Sequence, residues 1–269
     1  MQRLFPVPGA DGSGGPGGPA APGGSVEGGG GLDTPFGLAE AYAYPERAAG
    51  PYLRANMVGS LDGAARHEGK SAPLSSEGDM RIFGVLRALA DVVLVGAETV
   101  RQEGYRPARA REVFAGRRAA DGQTPAPAIA VISRGLDLDF GLPLFNEPVT
   151  PTLVLTGSTA PAERLDAARA AGAVVVVAGE GDGVDPARAV SELAALGHLR
   201  LLIEGGPRVL AQFAAADALD ELCLTVAPIV TGGSAPRIMN GPTVPGPARF
   251  TPLSVLEEDG FLFTRYGRA

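Results

Sequence analysis

From Pro51 to Phe213, short runs of Val, Leu and Ile alternate with segments long enough for helices, and this alternation limits the fold more than any other feature. The runs at 52–58, 92–95, 129–132, 153–155, 174–177 and 199–203 are nearly continuous in apolar residues. Helix-length segments begin at Ser76, Ala97, Thr159, Asp185 and Pro207. Strands that are apolar on both faces, separated by helices, require a largely parallel sheet covered on both sides. Ser76 with Asp79 fits a capping box, and Asp185-Pro186 sets a cap acceptor before a first-turn proline. After Leu219 the helix-length segments stop. Three strands follow, at 221–229, 253–257 and 261–266, with Asp259-Gly260 as the hairpin turn between the last two. The expected architecture is an α/β body with a mostly parallel sheet finished by an antiparallel C-terminal hairpin.

Twelve of the 23 residues from Gly9 to Gly31 are Gly and three are Pro, too little apolar surface to offset the entropy of ordering them. Residues 1–34 therefore read as a flexible Gly/Pro-rich tail, and 35–269 as a single domain. The N-terminus lacks the apolar run of a signal peptide and no stretch approaches the ~18 apolar residues of a membrane span, so a cytoplasmic location without membrane association is expected.

A formal charge of −7 argues against a surface built for nucleic acid, where Lys and Arg must outnumber neighbouring acids. One cysteine, Cys223, and two widely separated histidines, His67 and His198, leave no ligand set for a metal and no nucleophile–base pair.

In open α/β sheets ligands gather where strands end, so polar residues following the runs are the candidates. Ser60 and Asp62 follow the first; they form either an Asp-Gly turn or a carboxylate at a pocket mouth. Arg87 shares a helical stripe with Met80 and Phe83, and needs either a structural acid such as Asp91 or a substrate phosphate. Glu204-Gly205-Gly206-Pro207 follows a strand and opens a helix, the arrangement in which free backbone N–H groups receive a phosphate. Ser133-Arg134 sits where a 2′-phosphate that separates NADP from NAD would be met, or in a solvated loop.

S-L-D-G at Ser60–Gly63, the block from Ser75 to Arg101, L-L-I-E-G-G-P at Leu201–Pro207 and the block from Asp220 to Gly233 together resemble the reductase domain of bacterial riboflavin biosynthesis, in its stand-alone pyrimidine reductase form. The resemblance covers 51–269. It implies a dihydrofolate-reductase-like fold, a homodimer, NADPH as cofactor, and reduction of 5-amino-6-(5-phosphoribosylamino)uracil, a phosphorylated pyrimidine, to its ribityl form. It places Asp62 as the catalytic pocket acid and Ser60, Arg87 and Glu204 at the substrate. To the cofactor it assigns Thr99, Glu103, Ser133, Arg134 and the run Gly205, Gly206, Pro207, Arg208, Val209 and Leu210. Arg106, Arg109 and Arg111 compete for a further substrate contact. The zinc deaminase motifs that precede this domain in bifunctional relatives are missing, so a deaminase step is expected of another protein. Two other readings stay open: a dihydropterin reductase, which would need no phosphate-binding arginine, and a non-catalytic NADP-binding protein.

Overall fold

The computed structural model describes residues 1–6, 31–45, 50–244 and 246–269. In chain order these form β1 (Gln2–Phe5), α1 (Pro35–Ala41), β2 (Tyr52–Ser60), α2 (Glu77–Leu89), β3 (Val92–Gly96), α3 (Ala97–Glu103), α4 (Glu112–Ala120), β4 (Ala128–Ile132) and α5 (Pro143–Asn146). There follow β5 (Leu153–Thr156), α6 (Ala162–Ala170), β6 (Val174–Val177), α7 (Pro186–Ala195), β7 (Arg200–Ile203), α8 (Pro207–Ala215), β8 (Glu221–Ala227), β9 (Phe250–Glu258) and β10 (Phe261–Arg268).

All ten strands join one sheet, in the order β1-β9-β10-β8-β2-β7-β3-β4-β5-β6. The stretch from β8 to β6 is parallel throughout, and β10, β9 and β1 add antiparallel at its end. The expected α/β body and C-terminal hairpin are both present. Asp259 and Gly260 both have positive φ, 51° and 82°, as a type I′ turn requires. The inner parallel strands β3, β4, β5 and β7 are buried on both faces, which is why their sequences are continuous in apolar residues rather than alternating. Val93 and Val95 of β3 pack with Ile82, Leu86 and Leu89 of α2 in one core, while Val92 and Leu94 pack with Leu210 and Phe213 of α8 in the other.

Helix caps behave as their sequences require. Ser76 accepts from the Asp79 N–H at 3.1 Å, and Asp185 accepts from the Arg188 N–H at 2.7 Å. The Asp79 carboxylate does not close the box, because it is drawn instead to hydroxyls on two other segments, Ser75 and Thr225.

The expected tail needs correction at its start. Gln2–Phe5 forms an edge strand on β9, with Gln2 opposite Glu257, and the terminal ammonium of Met1 pairs with Asp33 at 2.6 Å. Four residues suffice because β9 supplies the hydrogen-bonding template. The Gly-rich body of that segment, 7–30, lies outside the described residues. Past it, Thr34 caps α1, whose Leu38 and Ala39 are buried in the α2 core, so ordered structure precedes Pro51. The helix α4 has no counterpart in the apolar pattern because only Phe114 and Arg118 of its nine residues are buried. The helix expected from Thr159 starts at Ala162, after Pro161. Among the described residues, no helix is long and apolar enough to cross a membrane, and no cluster of His, Cys, Asp and Glu could hold a metal ion.

Candidate active site

Crossovers run outward from β3 through β6, after which the chain returns to insert β7 between β2 and β3. Strand order reverses there, and a crevice opens outside the carboxyl ends of these strands. It holds a cavity of about 690 Å³, within the range of small-molecule sites.

One wall is the stripe of α2 carrying Met80, Phe83 and Arg87, joined by Asp79. Residues 79, 83 and 87 recur every four positions and so stack on one face of the helix. Ile82, Leu86 and Leu89 take the opposite, core-facing side. Met80 is 55% exposed, which fits a wall rather than a core position.

Arg87 finds its acid in Glu204, the first residue after β7. The guanidinium is bidentate, with Nε donating to Oε1 at 2.7 Å and Nη2 to Oε2 at 2.6 Å. Tyr105 closes the group, donating its hydroxyl to Glu204 and accepting from Arg87 Nη2 at 2.6 Å. The guanidinium lies over the Phe83 ring at 4.4 Å. Burial, then the neighbouring Glu204 charge, raises the Tyr105 pKa well above the usual tyrosine value, so its proton is retained. Asp91, the other acid considered for Arg87, is occupied elsewhere: it accepts from the N–H groups of Leu199 and Arg200, both at 2.8 Å.

The turn after Glu204 brings β7 to α8. Gly205 has φ of +123°, a conformation open to glycine, and the Gly205–Gly206 peptide is cis. A Cβ on Gly206 would stand 2.8 Å from Thr99 Oγ1, so the backbone passes directly against the start of α3. Pro207 occupies the first turn of α8, and the N–H groups of Arg208 and Val209 have no partner among the described residues. Leu210 is buried and only supports this turn. Thr99, Glu103, Gly205, Gly206 and Pro207 all line the cavity. Ser133 and Arg134 follow β4, next to β3 on the same edge, but do not line it; Ser133 is buried, and Arg134 is exposed and 3.7 Å from Asp182. Arg66, Arg106, Arg109 and Arg111 line the rim. The Arg111 guanidinium rests on Gly84, where a side chain would displace it.

The pair expected at the pocket mouth is placed differently. Asp62 and Ser60 are not among the lining residues. The Asp62 carboxylate accepts from Ser60 Oγ at 2.5 Å, from the Gly232 N–H at 2.7 Å and from the Thr231 N–H at 3.1 Å. These donors hold its pKa down to about 2. It ties the loop after β8 to the end of β2, the turn alternative of the sequence reading, and a carboxylate so committed is a poor proton donor. Two cavity residues escape motif reading, Asn56 and Tyr105, and a third, Asp79, reads as a cap residue. The only sequence signal for Asp79 is its place on the Phe83–Arg87 stripe.

Comparison with known proteins places these features in context. Residues 51–259 match the profile of the RibD C-terminal domain. A 2,5-diamino-6-ribosylamino-4(3H)-pyrimidinone 5′-phosphate reductase of Archaeoglobus fulgidus is 28% identical over 220 residues, covering 81% of this chain and 99% of that protein. A protein of the same name from Aquifex aeolicus is 32% identical over 171 residues, 64% of this chain and 69% of its own length. Among solved structures, a pyrimidine reductase-like protein of Corynebacterium diphtheriae superposes with a TM-score of 0.76 at 27% identity, covering 86% of this chain and 98% of the other.

Proposed function

Since the chain belongs to the RibD C-terminal domain family, we propose that it is an oxidoreductase that uses NADPH to reduce the ribosylamino group of a phosphorylated 6-(ribosylamino)pyrimidine to the ribitylamino group. The observation that carries this reading is the cavity at the β2/β7/β3 strand ends, with the Glu204–Arg87–Tyr105 cluster on one side and, at the rim, Arg106, Arg109 and Arg111, which form no ion pair among the described residues. The chemistry at the sugar is the same whether C2 of the pyrimidine bears oxygen, as in the uracil expected from sequence, or an amino group.

The fit of a dinucleotide rests on the Gly205–Gly206 turn, where the backbone is bare and pressed against Thr99, and on the free N–H groups opening α8. Thr99, Gly205, Gly206, Pro207, Arg208 and Val209 would hold the phosphates. Glu103 lies at the rim beside them, and Ser133 with Arg134 is one strand further along for the 2′-phosphate. When bound, the nicotinamide supplies the hydride that C1 of the opened sugar receives.

The protein's own part is orientation and proton handling. Glu204 precedes Gly205 directly and accepts from the Tyr105 hydroxyl, so this carboxylate and hydroxyl are the proton-holding groups offered beside the turn. Arg87 fixes both while Phe83 supports it from below. Arg106, Arg109 and Arg111 offer guanidinium charge to the sugar phosphate, and no rim arginine is needed for a dihydropterin. A second copy of the chain would cover the outer face of the C-terminal strands. There Leu222, Leu224 and Val226 of β8 align with Tyr266, Thr264 and Leu262 of β10 and are only half-buried.

Steady-state NADPH oxidation with the phosphorylated ribosylaminopyrimidine tests the reading, against a dihydropterin as the contrasting substrate. Turnover with the former, and a raised KM for it in Arg109→Ala or Arg111→Ala, is expected; turnover with the dihydropterin alone refutes it. Titration of NADPH and NADH against wild type and Arg134→Ala checks the 2′-phosphate contact. Light scattering at micromolar concentration checks the dimer.

A further inference from the structure

Sulfur is scarce in this chain, with four methionines and one cysteine. Cys223 is buried, and burial pushes its thiol pKa upward, so the thiol stays protonated and out of reach. Met1 packs against the core shared by α1 and α2, and Met57 and Met239 pack against the core under α8. Met80 belongs to neither core among the described residues. It is 55% exposed, and its setting is the cavity wall. Met57 also borders the cavity, but it is half-buried on β2.

Nothing in the packing of α2 asks for a methionine at this position. Ile82, Leu86 and Leu89 take the core-facing side of the helix, and Met80 lies with Phe83 and Arg87 on the other. There the unbranched thioether gives the wall an apolar, adaptable surface. It also leaves a sulfur open to solvent on a surface that a ligand in the cavity covers.

We infer that Met80 is a site of reversible oxidation through which a hydroperoxide lowers the activity of the enzyme; the activity part of the inference rests on the reductase reading above. In the forward step a sulfur lone pair attacks one peroxide oxygen. The O–O bond breaks as an S–O bond forms, and the leaving oxygen takes up the proton of the transferred one, so hydrogen peroxide departs as water. Sulfur is oxidised by two electrons and the peroxide is reduced by two. A methionine sulfoxide reductase restores the thioether with two electrons from a dithiol, leaving a disulfide and water. While oxidised, the side chain carries a strong acceptor where the wall was apolar. A ligand that covers it leaves that oxygen unpaired, and the carboxylate of Asp79, the preceding residue in the wall, can only accept.

The test exposes wild type, Met80→Leu and Met57→Leu to hydrogen peroxide, removes it with catalase, and follows the gain of one oxygen on each methionine by peptide mass spectrometry. Met80 is expected to oxidise before Met57 or Met239. With it, kcat/KM for the phosphorylated ribosylaminopyrimidine falls by roughly 10-fold, the scale of one unpaired polar group. Treatment with a methionine sulfoxide reductase and dithiothreitol recovers the rate. Met80→Leu, measured against its own untreated rate, holds its kcat/KM through the same exposure, whereas Met57→Leu loses activity as wild type does. Met80→Gln sets a permanent polar group in the wall and lowers kcat/KM without peroxide, at an unchanged melting temperature because the position lies outside both cores. Oxidation of the core methionines first, full oxidation of Met80 with kcat/KM intact, or equal losses in wild type and Met80→Leu overturns the inference while leaving the reductase reading in place. No turnover by untreated wild type removes the reductase reading, and the inference with it.

Discussion

Two arginine–glutamate clusters lie on the same side of the sheet and differ in what surrounds them. In the sealed one, Arg54 on β2, Glu221 on β8 and Arg265 on β10 meet beneath α1. Arg54 Nη2 reaches Glu221 Oε2 at 2.9 Å and Arg265 Nε reaches Oε1 at 2.7 Å. Arg54 Nη1 and Nη2 also donate to the carbonyls of Tyr42 and Ala43 at the end of α1, and Arg265 Nη1 to that of Ala41. Arg54 and Glu221 are both 0% exposed. This cluster docks a helix end, whose carbonyls would otherwise be orphaned. In the open one, the side chains of Arg87 and Glu204 hydrogen-bond only to each other and to Tyr105, with the Phe83 ring against the guanidinium and the cavity beside them. The pairing chemistry is shared. What separates the two pairs is whether the guanidinium's other nitrogen ends on backbone, as in Arg54, or the pair lines a cavity, as Arg87 and Glu204 do.

The largest expected effect is on stability, from the sealed cluster. Glu221→Ala leaves two buried guanidinium groups uncompensated, at a cost of about 3–5 kcal/mol, which lowers the melting temperature by roughly 10 °C. Thermal melts read this directly; a variant that melts with wild type would break the contrast drawn above. Glu204→Gln should act in the opposite way. It keeps volume and removes the charge beside the glycine turn, so turnover falls by about 10²-fold while NADPH affinity in a fluorescence titration holds. Loss of cofactor binding instead would reassign Glu204 to the cofactor.

A smaller effect follows from pH. Burial disfavours the Glu221 charge, but Arg54 and Arg265 overcome it and hold the pKa down to about 2, against 4.5 for an unperturbed glutamate. A carboxyl whose folded pKa is depressed stabilises the fold above the unfolded value. That contribution is lost as pH falls from about 4.5 towards 2. A melting temperature that is flat from neutral pH down through this window would count against the cluster's role. The smallest effect is expected at Asp62. Because its carboxylate holds the 231–232 backbone outside the cavity, Asp62→Asn should leave turnover unchanged; a large loss would restore it as a pocket acid.

Much of this molecule is legible without coordinates. The parallel body, the Asp259-Gly260 hairpin and the glycine turn before α8 are local in cause. They follow from apolar runs that need both faces covered, from residues that tolerate positive φ, and from caps within four positions of the groups they satisfy. The position of Glu204, Gly205 and Gly206 at the cavity is readable for the same reason, since strand ends in such sheets are where crevices open.

Tertiary structure decided what depends on residues far apart in the chain. Arg87 had two possible partners in sequence, and only the insertion of β7 beside β3 brings Glu204, 117 positions away, within hydrogen-bonding reach. Asp62 reads as a turn residue or a pocket acid and Asp79 as a cap residue; the loop after β8 claims the first, and the second, bonded to Thr225 of β8, lines the cavity. Gln2–Phe5 becomes a strand only because β9 presents an unpaired edge. In each case local preference left several outcomes close in energy, and a contact from a distant segment chose among them.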